Sequence, residues 1–414
     1  MNTSIPKTTL RCSAILAIAF LVSCGGGGGG GGDSPAAPTV ITPVVMSKVE
    51  LGASVFADKN LSFNRTQSCA TCHNPASGFI DDRLDAFGEI GAVSLGDDGI
   101  SLGDRNAPSI AYSQFSPEFE YGSHPRFNSQ QPDYSGFIGG QFHDGRSVNL
   151  EAQAGEPPLG ALEMGMPDRE SVVERLLENE DYRISFKALF GDAIFDDSNT
   201  AYAAMTQAIA EFERSDEFSA FDSLYDRDTI DPLSKAALGK ALFFSQQFSN
   251  CATCHQLSPN GSSEETFSNY EYHNIGVPVN EAVRAVNGIA ADHIDDGLLS
   301  NPAVTDIAER GKYKVPTLRN IAVTGPYMHN GVFRDLRTVI EFYDHFLSGS
   351  QFNINPETGS PWRAPQLPST VSLVELQEGR TLNNDEVEAM VCFLRALTDQ
   401  RYEHLIEEKG ISCQ

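Results

Sequence analysis

Two copies of one pentapeptide, Cys69-Ala70-Thr71-Cys72-His73 and Cys251-Ala252-Thr253-Cys254-His255, constrain this chain more than any other feature in it. In a Cys-x-x-Cys-His run the two thiols form thioethers to porphyrin vinyl groups and the adjacent histidine is placed to bind the iron, which is how c-type haem is held. A disulfide or half of a zinc site would also use paired cysteines, but neither needs a histidine at that fixed offset. The motifs predict two covalently bound c-type haems, one on Cys69, Cys72 and His73 and the other on Cys251, Cys254 and His255.

Compared with itself, the chain repeats one plan at the spacing of those motifs, too long for a solenoid and suited to a duplicated domain. Leu51-Gly52-Ala53-Ser54-Val55-Phe56 precedes the first motif as Leu238-Gly239-Lys240-Ala241-Leu242-Phe243 precedes the second. Downstream, Phe142-His143-Asp144-Gly145 corresponds to Met328-His329-Asn330-Gly331, each followed at the same offset by Leu150 and Leu336. Apolar positions at helical spacing predict helices in 168–189, 201–212, 234–244 and 383–397, whereas strand-like alternation is scarce. The expected fold is mostly α: two cytochrome c-like haem domains of common plan, 46–225 and 226–414, with long irregular loops such as 85–109, 116–140, 258–312 and 348–368.

The start of the chain carries an address. Lys7 and Arg11 precede an apolar run over 12–22, the pattern of an export signal, and the run is too short to span a bilayer. Leu21-Val22-Ser23-Cys24 reads as a lipobox, which predicts a lipoprotein-type signal over 1–24 and a periplasmic protein anchored to a membrane through Cys24. Glycines 25–32 and the Pro-rich residues after them form a tether over 25–45. With 56 acidic against 29 basic residues the formal charge is −27, which argues against nucleic acid and anionic lipid as partners of the body. Cys392 and Cys413 are left over in an oxidising compartment, where a disulfide between them is plausible.

With these motifs in place, the chain resembles the bacterial di-haem cytochrome c peroxidase family, which includes the MauG branch that matures methylamine dehydrogenase. The resemblance rests on both haem motifs, Asn106-Ala107-Pro108-Ser109, Phe142-His143-Asp144-Gly145-Arg146, Glu163-Met164, and the run from Val315-Pro316-Thr317-Leu318-Arg319-Asn320 to Tyr327-Met328-His329. It implies that the haem of His73 meets hydrogen peroxide, with Glu163, Gln153 and Pro157 on its distal side. A carboxyl there suits the chemistry, because splitting peroxide needs a group that moves a proton between its oxygens. The haem of His255 would transfer electrons. Its second axial ligand falls at Tyr343, where peroxidases of the family usually carry methionine and the MauG branch carries tyrosine; Met328 is the rival. Asn106 with the carbonyls of Thr324 and Pro326 matches the family's calcium site, and oxygen donors suit that ion.

Two departures alter what the resemblance implies. His143 stands where the family commonly has a tryptophan that relays electrons, and the sole tryptophan is Trp362. A structural role for His143 is expected, since His329 repeats it. No histidine lies between His73 and His124, so a first haem open without reductive activation is expected, with His124 on the surface. The leading expectation is a di-haem c-type peroxidase that reduces hydrogen peroxide with electrons from a small donor, a cytochrome c or a cupredoxin. The alternatives are a MauG-like oxidase that modifies a protein substrate and a di-haem electron carrier. A homodimer is compatible with the resemblance.

Overall fold

Helices begin where a side chain can take up the first free backbone N–H groups. Ser47 and Glu50 form a capping box at the start of α1, Lys48–Phe56. Asp168 caps α2, Arg169–Leu177, and Asn179 caps α3, Glu180–Phe190. The single helical stretch expected over 168–189 is thus two helices, because the Asn179 side chain competes with the helical backbone and restarts it. Asp197 caps α4, Ser198–Glu213; Ser234 caps α5, Lys235–Phe243; Asp335 caps α6, Leu336–Asp344; Asn383 and Glu386 box α7, Asn384–Arg395. Each such cap stabilises its helix by about 1 kcal/mol.

A computed structural model of the chain describes residues 45–126, 132–257 and 264–413. The signal over 1–24, Cys24 and nearly all of the tether over 25–45 lie outside the described residues. Among those described, no helix is long and apolar enough to cross a membrane.

The same packing device appears twice. α1 crosses α4 and α5 crosses α7, each with a glycine at the crossing. A Cβ on Gly52 would overlap the backbone of Ala208, and one on Gly239 would overlap that of Ala389. Two buried apolar clusters form around these crossings, one from Leu51 to Phe218 and the other from Ala236 to Ile411. The two turns that the sequence aligned also share a backbone. Phe142 and Gly145 have positive φ within the Gln141–Ser147 bridge, as Met328 and Gly331 have within the Tyr327–Phe333 bridge.

Among the described residues, three two-stranded antiparallel sheets are present: β1 Glu120–His124 with β2 Tyr134–Ile138, β3 Tyr272–His273 with β4 Tyr313–Lys314, and β5 Ile354–Asn355 with β6 Ser360–Pro361. The first hairpin falls in the stretch expected to be loop. Its Gly122, Ser123, Ser135 and Gly136 have little intrinsic strand preference. Ile138 bridges to Glu271, so contact with a distant segment supports the hairpin. Residues 43–414 form one compact unit in which the halves are tied by buried charge pairs. Arg105 holds Asp295 through two bonds of 2.6 Å and Asp144 through a third of 2.6 Å. Tyr112 donates to Asp399 at 2.6 Å, and Cys392 and Cys413 are joined in a disulfide.

Candidate active site

Each pentapeptide forms a single tight turn, Cys69–Cys72 helical and Cys251–Thr253 of 3-10 type, that presents its histidine at the end. His73 N–H donates to Cys69 O at 2.9 Å and His255 N–H to Cys251 O at 3.0 Å. In both copies Nδ1 of the histidine is engaged by a backbone carbonyl, Phe79 O at 3.2 Å and Phe267 O at 2.9 Å. Phe79 and Phe267 are fully buried and have positive φ, a backbone conformation that aims the carbonyl at the ring. Burial lowers His73 below the usual imidazole range and His255 to about 4, so both rings are neutral at pH 7. A neutral imidazole whose Nδ1–H is spent on a carbonyl offers Nε2 to a metal.

The four motif cysteines are free, and burial pushes the thiol of Cys69 up to about 12 and those of Cys72 and Cys251 to about 11. A cavity of about 710 Å³ lies beside the first motif, lined by Cys69, Cys72 and His73. Paired free thiols, an available Nε2 and a partly apolar cavity of this size fit a covalently attached haem. The second motif repeats the thiols and the imidazole.

Glu163, Gln153 and Pro157, which the family resemblance named, line that same cavity. Glu163 is held by a compact turn: its N–H donates to Gly160 O at 3.0 Å, its carbonyl accepts from Asp97 N–H at 2.8 Å, and Met164 N–H donates to Pro157 O at 3.2 Å. A Cβ on Gly160 would strike the Glu163 carboxyl, so glycine at 160 leaves it room. Its side chain is reached from the cavity, yet enclosure by the chain raises it above the ordinary carboxylate range; Arg146 opposes that rise and Glu156 adds to it. Gln153 stands on the short helix Leu150–Ala154, capped by Asn149.

His143 also lines the cavity, with Nε2 donating to Asn106 O at 3.0 Å. Burial pushes its imidazole down to about 4, so it acts as a neutral donor. Asn106 N–H donates to His329 O at 2.7 Å, which links the two repeated turns through one residue. The His329 ring stacks on Tyr313 at 3.7 Å and 11°. Beyond Tyr313, Val315 and Pro316 line the first cavity while the Pro316 backbone adjoins His255, so the two motifs share a wall. His124 lies on β1, 6.5 Å from Tyr134 between ring centres; it is half-buried and apart from the residues that line the cavity.

Tyr343 stands near the end of α6. Its side chain is 36% exposed, yet enclosure by the chain raises its phenol above the ordinary tyrosine range and the Cys254 and Cys251 thiols raise it further, so it lies within electrostatic reach of the second motif. Met328 packs against the second apolar cluster. Of the residues named for calcium, Asn106 donates its side-chain N–H to Ala92 O at 3.0 Å, which leaves Oδ1 as an oxygen donor.

Two groups beside the motifs escaped the sequence reading. Arg126, Glu271 and His273 form a buried chain, with Arg126 to Glu271 at 2.9 Å and His273 to Glu271 at 3.0 Å; its parts come from distant segments that no local pattern links. Glu213 closes α4 on the helix face that carries Ile209, one turn earlier. A carboxylate in line with that apolar stripe was the available signal.

A family model described as di-haem cytochrome c peroxidase matches residues 46–229. The chain is 47% identical over 383 residues to methylamine utilization protein MauG of Paracoccus denitrificans, covering 90% of this chain and 95% of that one. It belongs to the di-haem cytochrome c peroxidase and MauG family. More distant within that family, cytochrome c peroxidase Ccp of Escherichia coli is 28% identical, over 70% of this chain and 51% of its own length. The diheme peroxidase BthA of Burkholderia thailandensis superposes with a TM-score of 0.73 at 26% identity, covering 92% of this chain and 93% of that one. This family member is therefore a haem-containing oxidoreductase with a mostly helical di-haem peroxidase fold, and the free cysteine pairs at 69/72 and 251/254 are consistent with two c-type haems.

Proposed function

We propose that this protein is a MauG-type di-haem oxidase, which takes oxidising equivalents from hydrogen peroxide and applies them to a protein substrate. The observation that carries the reading is Tyr343 within electrostatic reach of the thiols of the second motif, with Met328 packed against the apolar cluster. The 47% identity to a MauG over nearly the whole chain supports it, against 28% to a cytochrome c peroxidase. This reading replaces the plain peroxidase as the preferred one.

Bound at Cys69, Cys72 and His73, the haem would supply an iron centre that accepts peroxide oxygen. Phe79 O holds the His73 ring in the orientation that leaves Nε2 free. Glu163 would move a proton: enclosure and then Glu156 shift its carboxyl above the ordinary carboxylate range while Arg146 opposes them, which places a proton-transfer group on the cavity wall where peroxide would bind. Gln153 and Pro157 complete the wall around it, and His143 keeps that wall in register with the His329 turn through Asn106. His255 and the Tyr343 oxygen would together hold the iron of the second haem; an anionic oxygen would favour oxidised iron and lower its potential. A calcium ion on Asn106 Oδ1 and the carbonyls of Thr324 and Pro326, a redox protein as partner, and a periplasmic body tethered through Cys24 belong to the same proposal.

Turnover separates the two enzyme readings. The haem-loaded protein should oxidise reduced cytochrome c slowly under hydrogen peroxide, and Tyr343→Met should raise the potential of the second haem and speed that turnover. Rapid cytochrome c oxidation by the parent, unchanged in the variant, would return the assignment to a plain peroxidase.

A further inference from the structure

Glu213 is the most deeply buried acid in the first site, 3% exposed, and its Oε2 has no hydrogen-bond partner. It lines the same cavity as Cys69, Gln153 and Glu163. An ionised carboxylate without a partner is costly to bury, so such a group holds its proton. The neighbouring cation offsets this only in part. Arg214, next in the chain, is spent on Glu151 of the short helix Leu150–Ala154, at 2.7 and 2.9 Å, and Glu151 itself repels a charge on Glu213. α1, which packs on α4, brings Leu51, Val55 and Phe56 to the same apolar cluster. Burial first, then Glu151, lift the Glu213 carboxyl to about 8 against the opposing pull of Arg214, so it changes charge just above neutral pH. Its charge reaches the motif, because among the acids it raises the Cys69 thiol most.

Resting on the reading that Cys69, Cys72 and His73 hold a haem, we infer that Glu213 is a proton store for the first site, distinct from Glu163, that above neutral pH, where it is ionised, takes up one proton when an electron arrives there. The balance is simple. One electron comes from the redox partner or a chemical mediator, one proton comes from water, and the carboxylate becomes a carboxylic acid, so the net charge of the site does not change. Burying an extra charge is thereby avoided. Glu213 acts through the field it imposes, as a positioning residue, and forms no bond to substrate.

The test uses the full, haem-loaded chain and follows the first haem's absorption and reduction potential from pH 6 to pH 10. The parent should show one titration near pH 8, with the potential falling as pH rises through it. Glu213→Gln should lose that step, and Glu163→Gln should keep it. A step that persists in Glu213→Gln, or that vanishes only in Glu163→Gln, overturns the inference. If Glu213→Gln fails to take up haem, infrared difference spectra of the parent decide: a protonated carboxyl band must disappear over the same pH interval, and its absence refutes the idea. A protein that keeps the step but ignores peroxide would sink the proposed function and leave this inference standing.

Discussion

Replacing Gly52 by alanine tests the repeated crossing on which both haem motifs are mounted. The added Cβ would lie 2.6 Å from the carbonyl carbon of Ala208 and 2.9 Å from Phe212 Cβ, whereas ordinary contact begins at 3.4 Å. The Ala208 carbonyl oxygen would be nearer still, so α1 and α4 must separate by more than about 0.8 Å, and the obstacle is backbone that cannot swing aside. Overpacking of this kind costs about 1–3 kcal/mol, here at the upper end, while alanine's better helix propensity returns about 1 kcal/mol. The expected net loss is about 2 kcal/mol. Gly239→Ala meets Ala389 and Phe393 in the same way, at 2.5 and 2.9 Å, and should cost a similar amount. Urea denaturation of the parent and both variants measures this, with absorption spectra recording which haem is disturbed: the first in Gly52→Ala, the second in Gly239→Ala. Two variants as stable as the parent, with unaltered spectra, would show that the helices have slack at the crossing and that the reasoning from contact distance is wrong.

Further outcomes follow from the site. Glu163→Gln should slow peroxide consumption by roughly 10²–10⁴-fold with both haems retained, as expected for loss of a proton-transfer group; stopped-flow mixing with peroxide measures it, and an undiminished rate removes Glu163 from the mechanism. Tyr343→Phe should alter the second haem's spectrum while Met328→Leu leaves it unchanged, and the reverse pattern would make Met328 the ligand. Glu213 titrates near 4.5 when unfolded and about 8 when folded, so the folded state holds the extra proton between those values and stability falls as pH rises through that window. Denaturation midpoints should accordingly show Glu213→Gln gaining on the parent from pH 5 to pH 8, and a constant gap would mean that Glu213 is not protonated in the folded protein. Cys413→Ser opens a cross-link spanning 21 residues and should cost about 3 kcal/mol on the chain-entropy estimate, measured under the same urea conditions.

Much of the site was legible because its chemistry is local. Cys69, Cys72 and His73 sit within five residues, so their joint purpose can be read without knowing the fold. Glu163, Gln153 and Pro157 have no such local signature and were named through the family resemblance; one turn and one short helix bring them to the same cavity, and the aligned turns at His143 and His329 share backbone as well as residues. The carbonyls that orient the two histidines were not legible. Phe79 follows His73 by 6 residues, whereas Phe267 follows His255 by 12, so the repeat hides the correspondence. The β1–β2 hairpin was missed for a similar reason, since its support comes from Glu271 rather than from its own composition.

By itself the sequence determined the attachment chemistry, the repeat and the positions of most helices, because thioether spacing, helical periodicity and capping depend on residues within a turn or two of each other. Tertiary structure alone decided which carboxyls lose contact with water, which helices touch backbone to backbone, and that Tyr343 lies within electrostatic reach of the second motif. Those outcomes depend on distance and burial between segments far apart in the chain. Glu163 and Glu213 are the same residue type in the sequence, and only the fold sets one in a hydrogen-bonded turn at the cavity and seals the other beside Cys69 without a partner for its Oε2.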